Sequence, residues 1–233
     1  MYYLKERRES HERNKGDIDP FKRVRSCTDI KNRYPDATSK VYTIYPDGKT
    51  PKLAYCDMVT EGGGWTVFQR RTDGSVDFYR GWSDYKSGFG NTSNEYWLGN
   101  EAIHKLTENG TCVLRIDMVT LQNERGFSKF TNFTISSEDV GYKMDYDRYS
   151  GTAGEAAFSY HKGMKFSTKD VDNDKKGSNC AQEYTGAWWY NACHHSNLNG
   201  KHGGSGNTYM RWWDWKDTKK DAFMKETIMM IKC

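Results

Sequence analysis

The most constraining stretch of this chain runs from Phe166 to Gly200, FSTKDVDNDKKGSNCAQEYTGAWWYNACHHSNLNG. It holds alternating aspartates at Asp170, Asp172 and Asp174, cysteines at Cys180 and Cys193, a Trp-Trp-Tyr run and a His pair. Neither the 3.6-residue period of a helix nor the two-residue period of a strand produces that mixture. The segment reads as a long loop loaded with chemistry. Its aspartates gather hard oxygen donors on one curved piece of backbone. That suits a cation that takes oxygen at about 2.3–2.6 Å, calcium before zinc. The EF-hand pattern fails, because its turn glycine falls on Lys175 and its bidentate glutamate on Ala181. On the residues alone, a calcium loop of another kind and a solvated acidic loop both stay open.

A loop of this length needs a body behind it. The 233 residues suffice for one large domain or two small ones. Aromatic residues make up 15% of the chain, with 8 Trp and 16 Tyr. The core should therefore be built from large rings whose polar ends need partners. The net charge of +4 is dominated by the first twenty-five residues. A basic strip at one end is ordinarily solvated, so nucleic-acid binding is not expected.

The 6 Cys form no CxxC pair, so they read as disulfides rather than a zinc knuckle. Sequons begin at Asn91, Asn109 and Asn132. Paired cysteines and sequons together predict a secreted, extracellular chain. The start, MYYLKERRES, has no apolar run, and no stretch approaches eighteen apolar residues, so no membrane span is expected. The sequence reads as a mature chain or an excised C-terminal domain.

Residues 1–26 are a charged tail or the end of a stalk. From Cys27 the chain reads as folded. Thr28 or Asp29 caps a short helix that Pro35 stops. SKVYTIYP alternates as a strand, Pro46-Asp47-Gly48 turns it and KLAYCDMV returns, which brings Cys27 and Cys56 close. Glu61-Gly62-Gly63-Gly64 reads as a hinge into the strand WTVFQRR. Asn100 caps the helix NEAIHKLT, which ends at Gly110. TCVLRIDMV alternates as a central strand, FSKFTNFTIS follows, and TIMMIKC is the last strand. Cys112 begins one strand and Cys233 ends another, so antiparallel pairing predicts a Cys112–Cys233 bridge. The fold class is α+β, with a central twisted antiparallel sheet and chemistry on long loops.

Three blocks carry a family likeness: EGGGWTVFQRRTDGSVDFYRGWSDYKSGFG, EYWLGNEAIHKLT and NCAQEYTGAWWYNACHHSNLNG. They resemble the fibrinogen-related domains, which include the C-terminal domains of fibrinogen chains, ficolins, tachylectins and angiopoietin-type ligands. The CHHSNLNG and GAWWY pieces are most similar to the ficolin and tachylectin branch, the acetyl-group lectins of innate defence. The resemblance implies an N-terminal disulfide subdomain at 27–66 and a central sheet at 67–165 plus 223–233. A loop-rich binding subdomain follows at 166–222. It implies the bridges Cys27–Cys56 and Cys180–Cys193.

It also implies a calcium ion held by the carboxylates of Asp172 and Asp174 and the carbonyls of Lys176 and Ser178. The N-acetyl pocket would have Tyr184 on one wall and Tyr209 on the second. The Cys193 and His194 amides would point at the acetyl oxygen, with the His194 ring closing the site and Ala192–Cys193 cis. Met210 stands where the relatives carry alanine, so its larger side chain is expected to narrow the pocket, and Ala222 falls where they place a third aromatic wall. Trp188 and Trp189 read as core rather than sugar-stacking residues; of Trp212, Trp213 and Trp215, at least one reads as buried and one as facing the ligand rim.

The expected function is a secreted, calcium-dependent lectin for acetylated sugars such as N-acetylglucosamine on microbial surfaces, strengthened by avidity in a homo-oligomer. A receptor- or peptide-binding module of the angiopoietin or fibrinogen type is the alternative. No nucleophile–base constellation, GxSxG or P-loop is present, and His194 and His195 lack zinc spacing, so no enzyme is expected.

Overall fold

The computed structural model describes residues 23–233. Most of the expected tail lies outside the described residues, but its last part is already folded. Val24 is buried, and its carbonyl accepts from the Tyr45 amide at 2.8 Å. The body thus begins ahead of Cys27.

The strands are β1 (Lys40–Ile44), β2 (Lys52–Asp57), β3 (Trp65–Arg71), β4 (Phe89–Gly90), β5 (Tyr96–Trp97), β6 (Cys112–Thr120), β7 (Arg125–Ile135), β8 (Met144–Asp145), β9 (Tyr149–Gly151), β10 (Arg211–Trp212) and β11 (Ala222–Lys232). The helices are short: α1 (Cys27–Arg33), α2 (Trp82–Ser87), α3 (Asn100–Thr107), α4 (Ala156–Ser159) and α5 (Cys180–Glu183). The main path through the sheet runs β1-β2-β3-β11-β6-β7-β8, with every pair antiparallel. The last strand therefore lies between β3 and β6. Its residues Met229, Met230 and Ile231 are all buried, as expected of a strand covered on both sides. β6 alternates through Leu114 and Ile116 on its inner face, which fixes its register.

Two starts differ from expectation. α1 is capped by Ser26, whose hydroxyl accepts from Asp29 N while the Asp29 carboxylate accepts from Ser26 N. This capping box uses the residue before the cysteine, so Asp29 is its third position rather than its cap. Asn100 is the first residue of α3 and not its cap; its amide oxygen accepts from Trp97 Nε1 at 3.0 Å. The Glu61–Gly64 stretch is a tight turn rather than a hinge. Gly63 has φ 76, and a Cβ there would lie 2.2 Å from the Met58 carbonyl oxygen.

The core is aromatic, and its indole nitrogens are largely paired. Trp189 donates to Tyr142 O at 2.8 Å, Trp212 to Ala153 O at 3.1 Å and Trp65 to Thr60 O at 2.7 Å. Trp188 and Trp189 are fully buried, and Trp189 packs against Trp97 and Phe166 at 6.2 and 5.2 Å between centroids. These two rings join the loop-rich region to the sheet. They are core.

Three disulfides are present: Cys27–Cys56, Cys112–Cys233 and Cys180–Cys193. The second follows from register, because Lys232 pairs with Val113 one position inside it. It closes a separation of 121 residues, for which the chain-entropy argument gives about 5 kcal/mol. The double variant Cys112→Ser/Cys233→Ser should lose about 2–5 kcal/mol of unfolding free energy in guanidinium. An unchanged midpoint would mean that strand pairing alone holds β11.

Candidate ligand and calcium site

The site is carried by the segment between Phe166 and Gly200. Ser167 pairs with Trp188 in an isolated antiparallel bridge, which pins both ends of the acidic loop. Inside it, Asp172 Oδ1 accepts from Asp174 N at 3.2 Å. Asp174 accepts from Lys176 N and Cys180 N, both at 2.8 Å. Burial raises the Asp174 carboxyl above the ordinary carboxylate range, and the neighbouring Asp172 charge adds to it. A cation between the two would relieve both effects.

The carbonyls of Lys176 and Ser178 accept no hydrogen bond from the described residues. Two carboxylates and two uncommitted carbonyls are the donor set calcium takes, and the residues fit that ion. Among the described residues, no group of three or more His, Cys, Asp or Glu side chains could share a metal. A hard ion here would rely on backbone and water oxygens for the rest of its shell.

Asp170 points elsewhere. Its Oδ1 accepts from Trp82 N at 2.9 Å and from Thr168 Oγ1 at 2.6 Å, so it ties the loop to the start of α2.

Asn179 caps α5 through Gln182 N, and Cys180 is bonded to Cys193. Thr185 takes φ 51 and turns the chain directly after Tyr184. The Tyr184 ring then meets the His194 ring edge-on, with centroids 4.5 Å apart. His194 is only 8% exposed, yet neither of its ring nitrogens has a hydrogen-bond partner. Burial pushes its pKa down to about 3, with the Arg211 charge acting in the same direction. The Asn207 backbone favours the charged form but lies outside hydrogen-bond geometry. The amides of Cys193 and His194 donate to no group among the described residues. Two adjacent free N–H groups and a neutral imidazole between aromatic rings can receive a carbonyl oxygen and its substituent.

Three expectations need correcting. Ala192–Cys193 is trans, since the described residues contain no cis peptide bond. Tyr209 is not packed on Tyr184 or His194. Its ring lies against Gly204, where a Cβ would come within 2.3 Å of Cε1, and it lines an adjoining cleft. Met210 is fully buried in the core and narrows no pocket. Ala222 is 7% exposed and pairs with Trp212, so no third aromatic wall stands there. Trp213 is half-buried and tilts over His195, 4.7 Å between centroids. Asn91, Asn109 and Asn132 are exposed, as acceptors of glycan must be.

The sequence reading missed His161. It is fully buried; Nδ1 lies 2.8 Å from Trp189 O, and Nε2 lies 3.1 Å from Ser196 N and 3.3 Å from His195 N. Nδ1 must therefore carry the proton, leaving Nε2 as acceptor. Tyr160 adds to the clamp. Its carbonyl accepts from Asn191 Nδ2, its hydroxyl donates to Ala192 O, and its ring stacks on His195 at 3.9 Å. The Tyr160–His161 pair thus holds both arms of the turn that presents Cys193 and His194. The sequence offered only a histidine among polar residues after an AAFS run, too little to find it.

A sheet completed by its own last strand, with a disulfide-held turn offering free amides, defines a binding module built on loops. The chain belongs to the family described as fibrinogen beta and gamma chains, C-terminal globular domain, which matches residues 23–233. Domains of this family are generally non-enzymatic binding modules. Human tenascin-R is 48% identical over 184 residues, covering 78% of this chain and 13% of tenascin-R. Ryncolin-4 of Cerberus rynchops is 45% identical over 194 residues, covering 82% of this chain and 56% of ryncolin-4. The chain thus spans from about an eighth to just over half the length of these relatives.

Among solved structures, the fibrinogen-like globe domain of human ANGPTL2 superposes with a TM-score of 0.82 at 38% identity, covering 90% of this chain and 98% of that one. Lamprey fibrin D-dimer, complexed with the peptide Gly-His-Arg-Pro-amide, gives 0.81 at 34% identity over 89% and 73% of the two chains. Among the described residues, no helix is long and apolar enough to cross a membrane.

Proposed function

We propose that this domain is a secreted, calcium-dependent lectin that seats the acetamido group of sugars such as N-acetylglucosamine. One observation carries the reading. Beside the Tyr184–His194 contact stand two uncommitted amides and an imidazole with two unpartnered nitrogens. An acetamido group offers a carbonyl acceptor, an N–H donor and a methyl, and these partners answer all three. The Cys193 and His194 amides take the oxygen, a His194 nitrogen takes the N–H, and the Tyr184 ring covers the methyl.

Asp172, Asp174 and the carbonyls of Lys176 and Ser178 would hold the calcium ion. The ion would supply fixed positive charge on the loop leading into Cys180; it activates no water. Buried groups left without partners are costly in a folded chain, and each calls for an explanation such as a bound partner. Single-sugar affinity should be low, with function resting on an oligomer that presents several domains to one microbial surface.

The test is binding to a surface dense in N-acetylglucosamine. Chelation with EDTA, or Asp174→Asn, should lower retention at least tenfold, and His194→Ala should do the same in calcium. Retention that ignores all three would remove the reading.

A receptor or peptide ligand is the second reading. Tyr209 standing away from Tyr184 leaves the acetyl site with one tyrosine wall, and the lamprey neighbour was solved with a peptide bound. A glycan array silent for acetylated sugars, with saturable binding to a protein partner, would favour it.

A further inference from the structure

A cleft of about 310 Å3 lies between the β1–β2 turn and the helices α2 and α3. It shares no residue with the acidic loop or with the Tyr184–His194 contact. Its walls are tied to one another. Asp47 Oδ1 accepts from the amides of Lys49 at 2.8 Å and Thr50 at 2.7 Å, which fixes the turn. Arg25 ties that turn to α3: Nε donates to Pro46 O at 3.1 Å and Nη2 to Lys105 O at 2.8 Å. Lys52, the first residue of β2, ties the strand to the end of α2, with Nζ donating to Ser87 O.

The three lysines of the lining differ in their partners. Lys86 Nζ lies 2.5 Å from Glu138 Oε2, and Lys105 Nζ lies 3.3 Å from Glu108 Oε2. The bond to Glu138 raises the Lys86 pKa and keeps that amine charged. Lys52 has no carboxylate partner among the described residues; the Ser87 carbonyl is its acceptor. The carboxylates that line the cleft are engaged elsewhere. Asp47 serves its own turn, where the Thr50 and Lys49 amides hold its pKa down to about 2. Glu101 Oε2 accepts from the Tyr142 hydroxyl at 2.9 Å. A half-buried ammonium without a counter-charge is costly, and burial accordingly lowers the Lys52 pKa. The neutral amine keeps its place: one N–H still donates to Ser87 O, and the lone pair is left for the cleft.

We infer that Lys52 is a carbamate site, at which carbon dioxide adds reversibly to the side-chain amine. The Nζ lone pair forms a bond to the carbon, one C=O electron pair passes to oxygen, and one N–H proton leaves to solvent. The product, Nζ–COO−, carries a negative charge where the ammonium carried a positive one. It retains one N–H for Ser87 O, and the ammonium groups of Lys86 and Lys105, which line the same cleft, attract its carboxylate. Selectivity follows from protonation. A lysine at its ordinary value is almost wholly ammonium near neutral pH and has no lone pair to offer, and each unit of lowering gives about tenfold more reactive amine. The charge where β2 meets α2 thus follows carbon dioxide, independently of calcium and sugar.

The experiment is 13C NMR of the domain in 13C-labelled bicarbonate at pH 7.5, followed by trapping of carbamates as alkyl esters and peptide mass spectrometry. One lysine carbamate should appear. The trapped mass should fall on Lys52, with an occupancy about tenfold above that of Lys86 or Lys105. Lys52→Arg keeps a charged donor for Ser87 O but does not lose its proton, so it should fold as the parent does and lack the signal. The α-amino group also reacts, and its resonance should survive the substitution. Trapping on the unsubstituted chain locates the carbamate however the variant folds. Label spread evenly over the lysines, a lysine carbamate that Lys52→Arg retains, or no lysine carbamate at all would each overturn the site.

Discussion

The variant His161→Ala should lose about 3–5 kcal/mol of stability and most of its ligand affinity together. The ring serves three backbone groups: the Trp189 carbonyl and the amides of His195 and Ser196. Alanine strands all three in a fully buried place, at about 1–3 kcal/mol for each unsatisfied group, and leaves a cavity as well. Both arms of the turn loosen at once, so the Cys193 and His194 amides lose their fixed direction. His161→Gln keeps one donor and one acceptor and should restore part of each loss. Urea unfolding gives the first number, and sugar titration gives the second. The 15N shifts of His195 and Ser196 show whether the clamp itself has opened. An alanine variant within about 1 kcal/mol of the parent would mean that the disulfide and the Ser167–Trp188 bridge hold the turn without it.

Acid should unfold the domain well before its carboxylates titrate. Burial holds the pKa of both His161 and His194 down to about 3. In the unfolded chain each returns to the ordinary value near 6.5. The unfolded state therefore takes up protons first. The contribution of the two rings is complete above pH 6.5 and falls as pH drops from 6.5 to about 3. The slope approaches about 1.4 kcal/mol per pH unit for each ring, so that acting together they lose about 2.7. Urea midpoints at pH 7.5, 6, 5 and 4 should fall steadily, and His161→Gln should halve the slope. A flat profile between pH 7 and 4.5 would mean that one ring is accommodated in its charged form. Within the stable range His194 stays neutral, so mild acidification would not charge the proposed site.

What could be read from sequence was what is encoded locally. The alternation in TCVLRIDMV and TIMMIKC placed Cys112 and Cys233 at facing strand ends, and the register of β6 with β11 explains why that sufficed. The Trp-Trp pair between two cysteines was legible as core because a loop closed so tightly leaves large rings few other places. The misses are long-range. His161 reaches amides 34 and 35 residues away, and no local pattern records such a partner. Tyr209 was assigned by likeness to the second wall of the pocket, facing Tyr184, but its ring follows the close approach of Gly204, which depends on the turn before it. The Ala192–Cys193 bond was expected cis from the relatives and is trans. Ser26 was overlooked as a cap because the fold was read as opening at the cysteine beside it.

Because β11 separates β3 from β6, the two halves of the sheet share no direct ladder until residues 222–232 are in place. During synthesis β1–β3 and β6–β8 must wait as two half-sheets, each with an open edge. A chain interrupted before Ala222 would present both edges to its neighbours, the arrangement that seeds intermolecular strand pairing. Oxidation of Cys112 with Cys233 then acts as a lock applied after the final piece is inserted.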